Sequence, residues 1–150
     1  MRFRSVVLAH QPTYVVILGG TNDLGWNAAP ADIMQNLLGM YELAATAGIK
    51  PVPMTVPSIR VGDDLCQEEG RRWFLDHLDR RRRLNEFILR YAASKQLTAV
   101  DLFAATMEPD TQQLAARYSN DGLHLSTAGY RLVAERLSRD VFGVAPSSGS

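Results

Sequence analysis

An uninterrupted apolar run from Tyr14 to Leu18 is the clearest strand signal in the chain. The run follows Pro12 and precedes a pair of glycines, Gly19 and Gly20. An apolar run without polar alternation is typical of a strand that is covered on both faces, as the strands of parallel sheets are. We therefore predict a parallel strand here, with a tight turn after its carboxyl end.

Two helical patterns enclose a second apolar segment. Between Ala31 and Ala47 the apolar residues recur at helical spacing, with a proline before the segment and a glycine after it. The segment Ile49 to Val56 predicts a strand, and the prolines within and directly after it suggest a position near a sheet edge or mouth. A long helix is predicted from about Gln67 to Lys95, and a break near Leu78 or Asp79 is compatible with the pattern.

The remainder of the chain repeats the same alternation once more. Leu97 to Leu102 predicts a short strand, a loop or short helix continues to Arg117, and a final helix runs from Ser126 or Thr127 to about Arg139. The order β-α-β-α-β-α predicts an α/β fold, a three-layer parallel sheet with ligands beyond the carboxyl ends of the strands. We expect one domain over residues 1–144 and a flexible tail over residues 145–150.

The composition fits a single domain and disfavours several classes of partner. Of the 150 residues, 46% are hydrophobic, and Lys+Arg equals Asp+Glu at 16 each. A formal net charge of zero provides no overall field that would favour nucleic acid or an anionic membrane. The single cysteine, Cys66, excludes an intramolecular disulfide and a cysteine-rich metal site. The apolar stretch Val6 to Ala9 is too short for a signal core or a membrane span, so we expect a cytoplasmic protein.

Two charged segments have ordinary explanations. The run Arg80 to Arg83 points around a helix within reach of acidic residues on the same helix, which favours a solvated face over a nucleic-acid patch. Asp63 and Asp64, with Glu68 and Glu69, could attract a cation, but their spacing is not that of a strict ligand set. A polar loop is the preferred interpretation, and we predict no metal site.

Asn22 lies directly after the first predicted strand, in the sequence Gly-Gly-Thr-Asn-Asp from Gly19 to Asp23. Active sites of α/β proteins form at this edge of the sheet. An asparagine amide there could donate a hydrogen bond to an oxyanion that develops during a reaction. The alternative is an Asn-Asp turn that caps the next helix.

Asp121 and His124 are separated by three positions, just before the last predicted helix. A carboxylate at this spacing can hold the Nδ1 proton of the imidazole and leave Nε2 free as a general base. The alternative is a structural histidine near a helix start. The residues by themselves leave both interpretations open.

The two motifs together resemble the SGNH (GDSL-type) hydrolase family. Residues Gly20 to Asp23 look like its third conserved block, and Asp121 to His124, followed by Ser126 to Tyr130, resemble its fifth block. The resemblance extends from Pro12 to about Leu137 and implies a flavodoxin-like fold. It also implies acyl transfer from a carboxylic ester or thioester, a small molecule, without metal or organic cofactor.

The resemblance assigns roles to individual residues. In the family, a serine attacks the ester carbonyl, a histidine accepts its proton and an aspartate orients the histidine, which implies these roles for His124 and Asp121. Asn22 would be one oxyanion donor, beside the amides of the serine and of a glycine. Gly20, Asp23 and Trp26 are the candidate substrate-binding residues. Trp26 could line an acyl pocket or shield a packed surface from solvent. The motifs do not identify the acyl and alcohol groups.

The family's Gly-Asp-Ser segment and its glycine block precede the asparagine block, and neither occurs in these residues. Residues Met1 to Gln11 resemble the helix that leads into the third strand of the family, so the fold is expected to be truncated to its last three strands. Ser58 and Ser119 are alternative nucleophiles, weighed against hydrogen bonding within loops. Cys66 is expected to be an inert thiol.

Loss of the strand that would pair beside Tyr14 to Leu18 is expected to expose an apolar sheet edge. Such an edge accepts strands from other chains. A homodimer or a complementing N-terminal fragment at the first visible strand are therefore the expected partners. The corresponding functional alternative is a catalytically inactive α/β module that assembles through this edge.

Overall fold

The computed structural model describes residues 2–62 and 66–143, and the parallel α/β architecture is confirmed. The strands are β1 (Tyr14–Ile17) and β2 (Lys50–Pro53). The helices are α1 (Arg2–Val6), α2 (Thr21–Gly25), α3 (Pro30–Thr46), α4 (Glu68–Ser94), α5 (Leu102–Thr106) and α6 (Thr127–Arg136). Asp63 and Asp64 of the acidic segment, and the expected tail at residues 145–150, lie outside the described residues.

The two strands pair in parallel, and helices cover the sheet on both faces. Tyr14 lies opposite Lys50 and Ile17 lies opposite Pro53. The core on one face joins Ile17 to α3 and α4, and the core on the other face joins Val52 to the end of α6. The sheet is therefore the middle layer of three. Within the described part of the chain, no helix has the length and apolar character needed to cross a membrane.

The third predicted strand, Leu97 to Leu102, is present as a single parallel bridge between Val100 and Met54. Alternate residues of a strand direct their N–H groups to the same side. Lys50 and Met54 donate toward β1, so Pro51 and Pro53 occupy the positions that face Val100, and a proline has no N–H to donate.

A residue beyond β2 supplies the donor that these prolines lack. The Thr55 N–H donates to the Val100 carbonyl at 3.1 Å, and the Val100 N–H donates to the Pro53 carbonyl at 2.9 Å. In the described sheet β2 pairs with β1 alone, and only the single bridge to Val100 lies on its other side, so the expected position of its prolines near a sheet edge or mouth is confirmed. The prolines also limit how far the third segment can pair with β2.

Helix α4 is continuous from Glu68 to Ser94, without the break considered near Leu78. Arg80 and Arg83 pair with acidic residues one turn earlier, as the sequence suggests. The interpretation of the arginine run as a wholly solvated face is wrong at one position, because Arg81 is only 1% exposed. Arg81 lies three residues after Leu78 and three before Leu84, both buried, which places it on the face that packs inward.

Asn85, on the buried face of α4, holds the chain where it leaves β2. Its Oδ1 accepts a hydrogen bond from the Val56 N–H at 2.7 Å, and its Nδ2 donates to the Val56 carbonyl at 2.9 Å. The side-chain amide thus forms the two hydrogen bonds that a neighbouring strand would otherwise form with Val56.

We expect Asn85→Leu to lower the free energy of unfolding by about 2 to 4 kcal/mol, because it leaves a buried N–H and a buried carbonyl without partners. Urea denaturation measures the change. Glu86→Leu, at the exposed next position of the same helix, is the matched control and should change the free energy of unfolding by less than about 0.5 kcal/mol. Equal effects of the two substitutions would contradict this role of Asn85.

His77 is buried on the same face of α4 and is neutral at pH 7. Burial first, and the positive charges of Arg81 and Arg80 second, lower the pKa of His77 to about 4. Its ring stacks on Trp73 with centroids 5.0 Å apart, and Nδ1 lies 3.3 Å from Arg80 Nη2. With the ring proton on Nε2, Nδ1 accepts a hydrogen bond from Arg80.

We expect the free energy of unfolding to fall as the pH decreases from about 6.5 to about 4. In this window the unfolded chain binds a proton at His77 before the folded chain does, because the folded-state pKa is depressed. The contribution of His77 is about 1 to 3 kcal/mol, fully present above pH 6.5. Urea denaturation at a series of pH values tests it. His77→Phe should flatten the slope, whereas His10→Phe, at an exposed site, should retain it.

Candidate active site

The turn after β1 depends on Gly20. Its φ of 105° lies in the left-handed region that favours glycine. A Cβ at this position would lie 2.8 Å from Leu84 Cδ2 and 3.0 Å from Ile33 Cγ2, which is closer than packed carbons approach. The resulting tight turn starts α2 directly after the strand, and it places Asn22 in the first turn of α2, at the carboxyl end of β1.

The Asn22 side chain is exposed, and it forms no hydrogen bond with the described residues. The N-cap of α2 is Gly20 and that of α3 is Ala29, and neither helix start has a side-chain cap. The capping alternative for Asn22 is therefore not what the structure contains. Its amide is available to donate to a molecule bound at this edge of the sheet.

The Asp121 carboxylate contacts His124 through both of its oxygens. Asp121 Oδ2 lies 2.6 Å from Nδ1 of the His124 ring. Asp121 Oδ1 accepts hydrogen bonds from the backbone N–H groups of His124 at 2.8 Å and Leu123 at 2.9 Å. With the ring proton on Nδ1, this contact orients the imidazole and leaves Nε2 as the ring nitrogen that can accept a proton.

These hydrogen bonds also keep the carboxylate ionised. The hydrogen bond with the His124 side chain, followed by those with the backbone of His124 and Leu123, holds the pKa of Asp121 well below its usual range. An ionised Asp121 stabilises the positive charge that the His124 ring acquires when it takes up a second proton.

Contacts within the loop itself and with the segment after β2 hold Asp121 and His124 in place. Ser119 Oγ donates to the His124 carbonyl at 2.7 Å and accepts from the Gly122 N–H at 2.9 Å. The Gly122 carbonyl accepts from the Arg60 N–H at 2.8 Å. Gly122 has a φ of 82°, and a Cβ there would overlap the Arg60 carbonyl oxygen. The close approach of the two loops therefore requires glycine.

The two serines considered as alternative nucleophiles are both buried and engaged. Ser58 Oγ donates to the Gln112 carbonyl at 2.6 Å, and Ser119 Oγ bonds within the Asp121 loop. Both hydroxyls thus have the loop hydrogen bonds expected of structural serines. Cys66 is exposed and carries a free thiol.

Asn22 and His124 line the same open groove, with a volume of about 410 Å³, and Gly20 and Asp23 line it with them. We call this the His124 groove. Tyr130 of α6 and Leu18 also line it. The structure thus brings together five of the six candidate site residues, because Asp121 contacts His124 directly.

Trp26, the sixth candidate, lies in an adjacent cleft of about 430 Å³, which we call the tryptophan cleft. Trp26 is 86% exposed, so it does not shield a packed surface. Trp73, His77 and Arg81 of α4 also line this cleft, and none of them belongs to a motif that predicts a site. The spacing of four residues from Trp73 through His77 to Arg81 is the signal that could have placed them on one face of the helix.

Comparison with known proteins identifies the family. The family model described as GDSL-like Lipase/Acylhydrolase matches residues 1–132. No curated protein sequence matches the chain significantly.

Solved structures share the fold and cover nearly the whole chain. A GDSL-like lipase from Bacteroides thetaiotaomicron is 26% identical, with a TM-score of 0.80, over 95% of this chain and 68% of that one. The lipase/acylhydrolase from Enterococcus faecalis is 27% identical, with a TM-score of 0.71, over 99% of this chain and 71% of that one.

A third similar structure is an acetyl-xylooligosaccharide esterase from Geobacillus, 21% identical with a TM-score of 0.67, over 93% of this chain and 64% of that one. At this identity the likeness shows the fold alone. The resemblance inferred from the motifs at Asn22 and His124 is confirmed at the level of the family. The chain belongs to the GDSL-like lipase/acylhydrolase family, a family of SGNH-type hydrolases.

Proposed function

We propose that this chain carries the oriented base and one oxyanion donor of a serine-type ester hydrolase. The observation that best supports the proposal is the 2.6 Å contact between Asp121 Oδ2 and His124 Nδ1, in a groove that Asn22 also lines. The substrate is a small molecule with a carboxylic ester or thioester. The chemistry uses side chains and backbone amides and requires neither a metal nor an organic cofactor.

In the proposed reaction, the nucleophile is a serine of a Gly-Asp-Ser segment outside these 150 residues. Its oxygen attacks the ester carbonyl carbon while His124 Nε2 accepts the hydroxyl proton. His124 then donates this proton to the departing alcohol or thiol, which leaves an acyl-serine. Water attacks the acyl-serine with His124 again accepting a proton, so the acid is released and the serine regains its hydrogen.

Asp121 and Asn22 support different charges during this reaction. The ionised Asp121 carboxylate stabilises the imidazolium form of His124, to which it is bonded through Oδ2. The Asn22 amide donates to the oxyanion that forms when the carbonyl carbon becomes tetrahedral. Tyr130 and Leu18 on the wall of the His124 groove offer apolar surface to the acyl or alcohol group.

We expect His124→Ala to lower the rate of p-nitrophenyl acetate hydrolysis by the chain about tenfold or more. An oriented imidazole reacts as a base or nucleophile with such an activated ester even without the serine. Release of p-nitrophenolate measures the rate. The matched control is His10→Ala, which removes an exposed histidine outside the groove and should leave the rate unchanged. Equal rates for the wild-type chain and His124→Ala would exclude the proposed role of His124.

A second experiment on the same chain identifies the nucleophile. Treatment with an organophosphonate ester, followed by mass spectrometry, identifies any serine that attacks. Labelling at Ser58 or Ser119 would contradict a nucleophile outside these residues, because both hydroxyls are committed to loop hydrogen bonds.

The open side of β1 supports a second candidate function, a catalytically inactive module that assembles through this edge. Val16 is 39% exposed and Leu18 is 45% exposed. Among the described residues, β1 has a strand neighbour only on the side of β2. An exposed apolar strand with unpaired backbone groups is a template for a strand from another chain.

For this candidate we expect concentration-dependent dimerisation of the chain that Val16→Lys weakens, because a charge on an edge strand opposes strand addition. Sedimentation equilibrium measures the mass. Leu75→Lys, at an exposed leucine of α4, is the matched control and should leave the association unchanged. A monomer at every concentration would rule this candidate out. Dimerisation without any esterase activity would favour it over the hydrolase.

A further inference from the structure

Arg81 is a buried cation with most of its hydrogen-bonding capacity unused. Its side chain is 1% exposed. Nη1 donates to the Pro57 carbonyl at 2.6 Å, whereas Nε and Nη2 have no partner among the described residues. A buried charged donor without an acceptor is costly, because it has lost its hydration and gained nothing in return. An acceptor from outside the described chain would remove this cost.

The two unpartnered nitrogens define the shape of that acceptor. Nε and Nη2 lie on one edge of the planar guanidinium, and their N–H bonds run side by side. This edge matches the two oxygens of a single carboxylate, which accept the two hydrogen bonds together. Burial first, and the charge of Arg80 second, lower the pKa of Arg81 to about 10, so the guanidinium is still charged at neutral pH.

The other charged residues that line the tryptophan cleft already have partners. Arg60 pairs with Glu108 at 3.1 Å and donates to the Leu114 carbonyl at 3.1 Å. Asp121 is bonded to His124. None of the ion pairs within the described part of the chain includes Arg81. Arg81 is therefore the cation of this cleft without an ionic partner among the described residues.

The tryptophan cleft adjoins the His124 groove. Thr21, Asn22 and Leu123 line both cavities. Trp26 and Trp73 provide apolar walls of the tryptophan cleft, which Arg81 also lines. One molecule can therefore place its reacting carbonyl beside Asn22 and another group in the cleft.

We propose that the tryptophan cleft binds a carboxylate of the substrate on Nε and Nη2 of Arg81, so that the preferred substrates are esters that also carry a carboxylate. This inference rests on the proposed hydrolase function, because it assigns a substrate class to the same site. The carboxylate takes no part in bond formation. It fixes the position of the ester in the groove.

The two tryptophans of the chain, Trp26 and Trp73, both line this cleft, so intrinsic fluorescence reports binding there directly. The chain is titrated with monoethyl succinate, with diethyl succinate and with inorganic phosphate. We expect monoethyl succinate to bind about tenfold or more tightly than diethyl succinate, as hydrogen bonds between charged groups do in buried sites. Equal binding of the two esters would overturn the proposal. Tighter binding of phosphate would overturn the choice of a carboxylate.

Variants of the arginine run test whether Arg81 causes the preference for monoethyl succinate. Arg81→Met should abolish the preference for monoethyl succinate. Arg82→Met removes the same charge from the next, exposed position and should retain the preference. Arg81→Lys keeps the charge without the two-nitrogen edge and should weaken binding partially, which tests the proposal even if Arg81→Met does not fold. An unchanged preference in Arg81→Lys and Arg81→Met would overturn it.

The binding measurement is independent of hydrolysis. His10→Ala should bind monoethyl succinate as the wild-type chain does, because His10 is exposed and lines neither the tryptophan cleft nor the His124 groove. Charge-dependent binding without any hydrolysis would defeat the proposed hydrolase and leave the carboxylate site standing. If hydrolysis of p-nitrophenyl acetate depends on His124 but binding does not depend on charge, the proposed hydrolase stands and the carboxylate site is excluded.

Discussion

The candidate site depends on the hydrogen bonds that the Asp121 carboxylate forms. One oxygen bonds to the His124 ring and the other accepts the backbone N–H groups of Leu123 and His124. The same group therefore folds the loop and orients the imidazole, so loop geometry and base orientation cannot change separately. The loop in turn is held against the segment after β2 through the contact between Gly122 and Arg60. A local motif of four residues is thus held in place by a distant part of the chain.

Side chains of helix α4 form hydrogen bonds with the backbone after β2 that a neighbouring strand would form in a larger sheet. Asn85 satisfies the backbone of Val56, and Arg81 donates to the Pro57 carbonyl on the next residue. Polar groups are thus buried on a helix face that would otherwise be apolar. At Asn85 each buried hydrogen-bonding group has a partner, whereas at Arg81 two buried donor nitrogens lack an acceptor. This imbalance lies beside the site and is the reason to connect it with ligand binding.

The elements and the motif residues could be predicted because their signals are local. The apolar run at Tyr14 and the helical spacing around Leu37 depend only on neighbouring residues, and β1, β2, α3, α4 and α6 lie within a few positions of the predicted bounds. Asn22 was recognisable because it directly follows a predicted strand, and Asp121 because it lies three positions before His124 and just ahead of a predicted helix. Trp73, although apolar, is half-exposed, because the inward face of α4 passes through the next residue, Phe74.

By itself, the sequence determined the parallel α/β order, the helix and strand positions, and the spacing that lets Asp121 reach His124. These properties follow from periodicity and from short-range backbone geometry. The tertiary structure alone decided that the third strand shrinks to a bridge at Val100, that the hydroxyl of Ser58 is engaged, and that Arg81 is buried in the wall of a cleft that Asn22 also lines. Each of these outcomes depends on which donors and acceptors from distant segments meet. The local sequence pattern does not specify those partners.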